Sequence, residues 1–156
     1  EQIPELIQAR RFEVIGENSS LRASMDATGI RYSDGNRTRA AMAADGIVYF
    51  DESGTLRAVM DDLGIRYRDE NGTLRAMMDE LSIRFMDENG NVRVIMDNEG
   101  IFYFDENGNR RAGMGDVGFD VRDENGTGRA QMSTDGIGYW DENGNQVWST
   151  RCTPNC

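Results

Sequence analysis

From Arg11 onward the chain is written in short runs that alternate apolar and polar residues, separated by acidic tetrads ending in glycine. Around Gly64 to Leu81 the runs are Ile65-Arg66-Tyr67-Arg68 and Thr73-Leu74-Arg75-Ala76-Met77-Met78. Both have period two and are too short for helices, so they read as strands. The tetrads, Asp61-Asp62-Leu63-Gly64 and Asp69-Glu70-Asn71-Gly72, suit tight turns. Asp accepts backbone N–H bonds at the first position, and Gly supplies a positive φ at the fourth.

This 18-residue unit recurs from Arg11, Gly29, Gly46, Gly64, Ser82, Gly100, Gly118 and Gly136, with one spacing of 17 where a residue is missing near Asp34. A short fixed period signals a repeat architecture, in which each unit buries its apolar face only against its neighbours. Two strands per unit predict an all-β fold: tandem β-hairpins in an elongated antiparallel meander of about sixteen strands.

Strict alternation puts Ile65, Tyr67, Leu74, Ala76 and Met78 on one face, with Arg66, Arg68, Arg75 and Met77 on the other. The pattern persists as columns. Ile30, Ile47, Ile65, Ile83, Ile101 and Ile137 hold one position, and Tyr32, Tyr49, Tyr67, Phe85, Tyr103 and Tyr139 a second. Met25, Met42, Met60, Met78, Met96, Met114 and Met132 hold a third. An arginine column (Arg22, Arg39, Arg57, Arg75, Arg93, Arg111, Arg129) is expected on the opposite face.

An apolar stripe of this kind needs a cover, because burying each large side chain is worth about 1.5–3 kcal/mol. A closed barrel of that many strands would enclose a water channel, at odds with Ile, Tyr and Met inside it. Propellers have longer periods. The cover is then either the same chain, wrapped as a solenoid or sandwich, or further chains about a common axis. The second is the expectation adopted: a trimeric β-prism or fibre shaft, with Ile65, Tyr67, Leu74, Met78, Ile83, Phe85 and Met96 in the oligomer core. At about 4.8 Å per strand such a shaft would extend roughly 75 Å.

Charge narrows the partners. The 28 acidic and 17 basic residues give a net charge of −11, and with no His or Lys every base is Arg. That balance argues against nucleic acid, whose affinity rests on basic contacts to phosphate. No apolar run approaches the ~20 residues of a membrane helix, and the strands are shorter than the ~9–11 residues of a membrane barrel. The sequence begins at Glu1 without Met, as expected after processing or trimming.

Chemistry is sparse. Without His, Lys or a thiol outside the C-terminal pair, the commonest general bases and nucleophiles are missing. The carboxylates repeat in turns and do not converge from distinct elements, so no catalytic residue is singled out and no enzyme is expected. The DENG tetrads lack the D-x-[DN]-x-[DN]-G loop and its distal Glu, and no GGxGxD nonapeptide occurs, so neither a calcium site nor a cofactor is expected. The Met column, at strand spacing, reads as packing.

The ends differ from the array. Residues 1–10 carry Pro4 and place Ile3, Leu6 and Ile7 on one helical face, which suits a short helix, the end of a coiled coil, or a tail covering the sheet edge. The array is expected over 11–145 and a C-terminal cap over 146–156. Cys152 and Cys156 flank a Pro-Asn turn and read as a local disulfide in an oxidising compartment, with an interchain bridge as the alternative. Trp140 and Trp148 form the one irregular aromatic group, a candidate ligand patch for a cell-surface glycan.

The segments GIVYFDESGTLRAVM, GIRYRDENGTLRAMM and GIFYFDENG resemble the short G-I-R-F-Y-D-x-x-G-x-L-R-A repeats of bacteriophage minor tail and tail-fibre proteins and of repetitive bacterial surface proteins. The opening IQARRFEVIGENSSLRA looks like the start of such arrays. The resemblance covers residues 11 to about 145 and implies an extended, usually trimeric, non-enzymatic fibre segment, extracellular or on a virion surface. The chain is less similar to the YD repeats of toxin-encapsulating shells, because Tyr67 stands two residues before Asp69 and not beside it.

Overall fold

The structure is a computed structural model that describes residues 8–17, 21–35 and 37–150. The expected N-terminal helix falls mainly on residues 1–7, and Cys152 and Cys156 on 151–156. Both lie outside the described residues.

The fold is all-β: sixteen antiparallel strands in one open meander, in chain order, with no helix among the described residues. The chain divides into two compact units, Glu1–Thr73 and Leu74–Cys156. The first holds β1 (Arg11–Ile15), β2 (Leu21–Asp26), β3 (Gly29–Asp34), β4 (Arg37–Ala43), β5 (Gly46–Phe50), β6 (Leu56–Asp61) and β7 (Gly64–Arg68). The second holds β8 (Leu74–Met78), β9 (Ser82–Met86), β10 (Val92–Asp97), β11 (Gly100–Phe104), β12 (Arg110–Gly115), β13 (Gly118–Arg122), β14 (Gly128–Ser133), β15 (Gly136–Trp140) and β16 (Gln146–Ser149). The odd strands begin at the residues from which the repeats were counted.

Two turn types alternate, as the tetrads predict. In the longer one, Gly72 N–H donates to the Asp69 carbonyl at 3.1 Å and Asp69 N–H to the Thr73 carbonyl at 3.0 Å. Asp69 Oδ1 also accepts the N–H groups of Asn71 and Thr73, at 3.0 and 2.9 Å. The same bonds recur at Asp51, Asp87, Asp105, Asp123 and Asp141. In the shorter turn Asp61 pairs with Gly64 across a two-residue loop, and its Oδ1 accepts Leu63 N–H at 3.0 Å. Glycine is required at the matching Gly100, where φ is 142° and a Cβ would overlap the Met114 carbonyl oxygen on the adjoining strand.

The alternation expected from sequence is broken once per repeat, just after the longer turn. Tyr49 pairs with Ala58 and Phe50 with Leu56, leaving Arg57 as an extra residue. Arg93 and Arg111 occupy the same kind of register shift. This is a β-bulge, with two residues on one strand facing one on the other. It corrects two expectations. Leu56 and Val92 pair with Phe50 and Met86, so they belong to the face opposite Tyr and Met. Leu74 holds that position in β8, and so leaves the predicted oligomer-core face. The arginine column, in turn, does not lie opposite the tyrosines. The guanidinium groups of Arg57, Arg93 and Arg129 sit over the rings of Tyr67, Tyr103 and Tyr139, at 5.7, 5.6 and 5.9 Å from their centroids.

Neither unit closes around a core. Among the described residues no side chain is fully buried, and the buried apolar ones are Val59 and Met86. Both lie on the face away from the Ile, Tyr and Met columns.

Candidate functional site

Residues directly opposed on antiparallel strands share a face, so the pairings define two continuous rows on the Ile–Met face of each unit. In the first unit one row runs Phe12, Met25, Ile30, Met42, Ile47, Met60, Ile65, each paired with the next. Beside it runs Ala23, Tyr32, Ala40, Tyr49, Ala58, Tyr67. In the second unit the first row is Met78, Ile83, Met96, Ile101, Met114, Phe119, Met132, Ile137. Its companion contains Ala76, Phe85, Val94, Tyr103, Ala112, Val121, Ala130, Tyr139 and Trp148.

This face is open. The row methionines are 44–54% exposed and the tyrosines 45–52%. Soluble monomers rarely carry contiguous apolar patches beyond a few hundred Å², and larger ones mark interaction surfaces. Of the core residues named from sequence, Ile65 and Tyr67 lie on this face in the first unit, and Met78, Ile83, Phe85 and Met96 in the second.

The arginines flanking the face are already engaged. Arg93 Nε donates to the Phe104 carbonyl at 2.9 Å, and its Nη2 to the Tyr103 hydroxyl at 3.0 Å. Its Nη1 faces Asp87 of the preceding turn at 3.9 Å. Arg57 and Arg129 repeat the arrangement. Each of these three arginines thus ties the turn behind it to the strand ahead and fixes a tyrosine. Sequence reasoning missed this clamp, although the recurrence of Arg three residues past Gly54, Gly72, Gly90, Gly108 and Gly126 was the signal.

The carboxylates of Asp51, Asp87, Asp105 and Asp141 are held charged. The Asn109 N–H leads the groups that lower Asp105, and the Asn145 side chain leads those that lower Asp141. For Asp51 the leading donor is the Ser53 hydroxyl. At Asp87 partial burial pushes upward, but N–H bonds from Asn91 and Asn89 outweigh it and the net shift is down. These Asp groups serve turn geometry. Among the described residues no cluster of three or more His, Cys, Asp or Glu is placed to hold a metal ion.

The two tryptophans do not form one patch. Trp148 pairs with Tyr139 and is exposed on the Ile–Met face, whereas Trp140 pairs with Gln146 on the other. Trp140 lies against Gly138, where any Cβ would meet the indole. It borders a hollow of about 160 Å³ lined also by Gln131, Ser133, Asp135, Gln146 and Ser149. These polar residues were not singled out from sequence, because the pairing that gathers them around a glycine gap is not visible in a linear pattern.

No protein-family model and no curated protein matches this chain. Among solved structures it is similar to an alternansucrase determined in complex with isomaltotriose, at 18% identity over 85% of this chain, with a TM-score of 0.21. The matched part is 14% of that enzyme's chain, and at this score the likeness carries no argument.

Proposed function

We propose that the protein is a non-enzymatic structural component of a fibre or extracellular filament, assembled by self-association of its β-hairpin repeats. One observation carries the reading: the Ile–Met and Ala–Tyr rows form an uninterrupted, half-exposed apolar face in each unit, with almost no core elsewhere. A sheet buries such a face against another layer, and a second copy offers one of the same width and pattern. A three-chain prism with these faces inward is the arrangement favoured, and a virion or cell surface the setting. Engagement of the bulge arginines within the chain supports a scaffolding role for that column, in place of ligand capture.

Light scattering on a sizing column tests the reading. About three times the 17.5 kDa chain mass supports the prism, and a large heterogeneous mass supports a filament. A single-chain mass at every concentration refutes self-association.

A second reading, a glycan-binding module, is favoured by the hollow beside Trp140, where an aromatic wall meets amides, hydroxyls and the acidic residue Asp135. Glycan-array binding lost in Trp140→Ala would support it, and a blank array with the unaltered chain would end it.

A further inference from the structure

We propose that the methionine row is a site of reversible oxidation by hydroperoxides, and that this oxidation gates assembly of the face. The inference rests on the self-association reading above and adds a modification to the same surface. All nine methionines are described, and they fall into two groups. Seven occupy one repeat position and are 44–54% exposed. The other two, half-buried Met77 and Met86 at 8%, lie on the opposite face.

The choice of residue calls for a chemical reason. An open strand position favours β-branched or aromatic side chains, and the directly opposed places in the row are held by isoleucine or phenylalanine. Methionine alone among these apolar residues changes polarity by a mild two-electron oxidation. The thioether sulfur attacks one peroxide oxygen, and the S–O bond forms as the O–O bond breaks. Sulfur loses two electrons, the peroxide is reduced, and the departing hydroxide takes the remaining proton to leave as water. The sulfoxide is polar and chiral, and methionine sulfoxide reductases reverse it, one enzyme per epimer. Opposite Ile and Phe, a sulfoxide oxygen meets no side-chain donor in its own row, so a covering layer would strand it unpaired. Assembly, conversely, shields the sulfur.

The experiment uses the full chain, diluted until light scattering reports single-chain mass, then exposed to hydrogen peroxide, mapped by peptide mass spectrometry and reconcentrated. The seven row methionines should each gain one oxygen well before Met86 does. The oxidised chain should stay at single-chain mass where the untreated chain assembles, and the paired reductases should restore assembly. A chain with the row methionines changed to Leu should assemble with or without peroxide, and the oxidation and rescue arms stand even if that variant does not fold. Unchanged assembly after complete row oxidation overturns the gate alone, as does oxidation of Met86 in step with the row. An untreated chain that never exceeds single-chain mass overturns the gate together with the reading beneath it.

Discussion

Replacing Met96 and Met114 by Gln probes the open face with little change of shape. Met96 is 44% and Met114 54% exposed, so about half of each side chain's burial remains to be gained on assembly. With about 1.5–3 kcal/mol for a full side chain, the pair forfeits roughly 1.5–3 kcal/mol per chain. Across three chains this becomes about 4.5–9 kcal/mol, or roughly three to six decades in the association constant. Because a trimer's midpoint concentration varies as the square root of its dissociation constant, the midpoint should rise by about 30- to 1,000-fold. Any amide left unpaired in the covered face adds to this. Light scattering over a dilution series reads the midpoint directly. Met77→Gln, on the other face opposite Arg84, is the matched control and should leave it in place. The reasoning fails if the double variant assembles at the parent's midpoint, or if Met77→Gln shifts it equally.

Three further outcomes are expected. Gly100→Ala, at φ 142° against the Met114 carbonyl, should cost about 1–3 kcal/mol in urea unfolding, whereas Gly108→Ala, at φ 80° with open space around it, should cost no more than about 1–2 kcal/mol; equal costs would refute the close-approach account. Arg93→Met removes the bond to the Phe104 carbonyl and the contacts to Asp87 and Tyr103 and should destabilise by about 1–2 kcal/mol in the same assay. A neutral result would deny the clamp. Asp51, Asp87, Asp105 and Asp141 titrate lower in the folded chain than the ordinary carboxyl, so their contribution is fully present above the unfolded pKa of about 4 and is lost as pH falls through the folded values. Circular dichroism melts should therefore be flat from neutral pH to about 5 and fall below about 4; a decline centred near pH 6 would contradict this, in a chain without histidine.

The turns were legible because Asp and Gly act locally. Asp69 bonds to N–H groups two and four residues ahead, and Gly72 supplies its φ of 83° within the same tetrad. Strand number and order followed from the tetrad spacing. The bulge did not, because period two assumes one residue for one, and only the pairing of Leu56 and Ala58 with consecutive Phe50 and Tyr49 shows Arg57 as the extra residue. That slip carried Leu74 and the arginine column to the wrong faces. The Trp140–Trp148 patch failed for a related reason: nearness in sequence says nothing of side when Tyr139 and Trp140 point to opposite faces.

The ties between repeats are short in sequence. Six bulge arginines, from Arg39 to Arg129, each bond a carbonyl 11 residues ahead, and the longest side-chain bond described, Arg37 to the Ser53 carbonyl, spans 16. That reach is about a tenth of the chain, a locality typical of helical bundles and below most all-β domains. Little loop-closure entropy has to be overcome before a hairpin is rewarded by its neighbour, so this β protein should fold on the time scale of a helical one. During synthesis each hairpin can form once the next strand has emerged, and an array lengthened or shortened by a whole repeat would fold by the same steps.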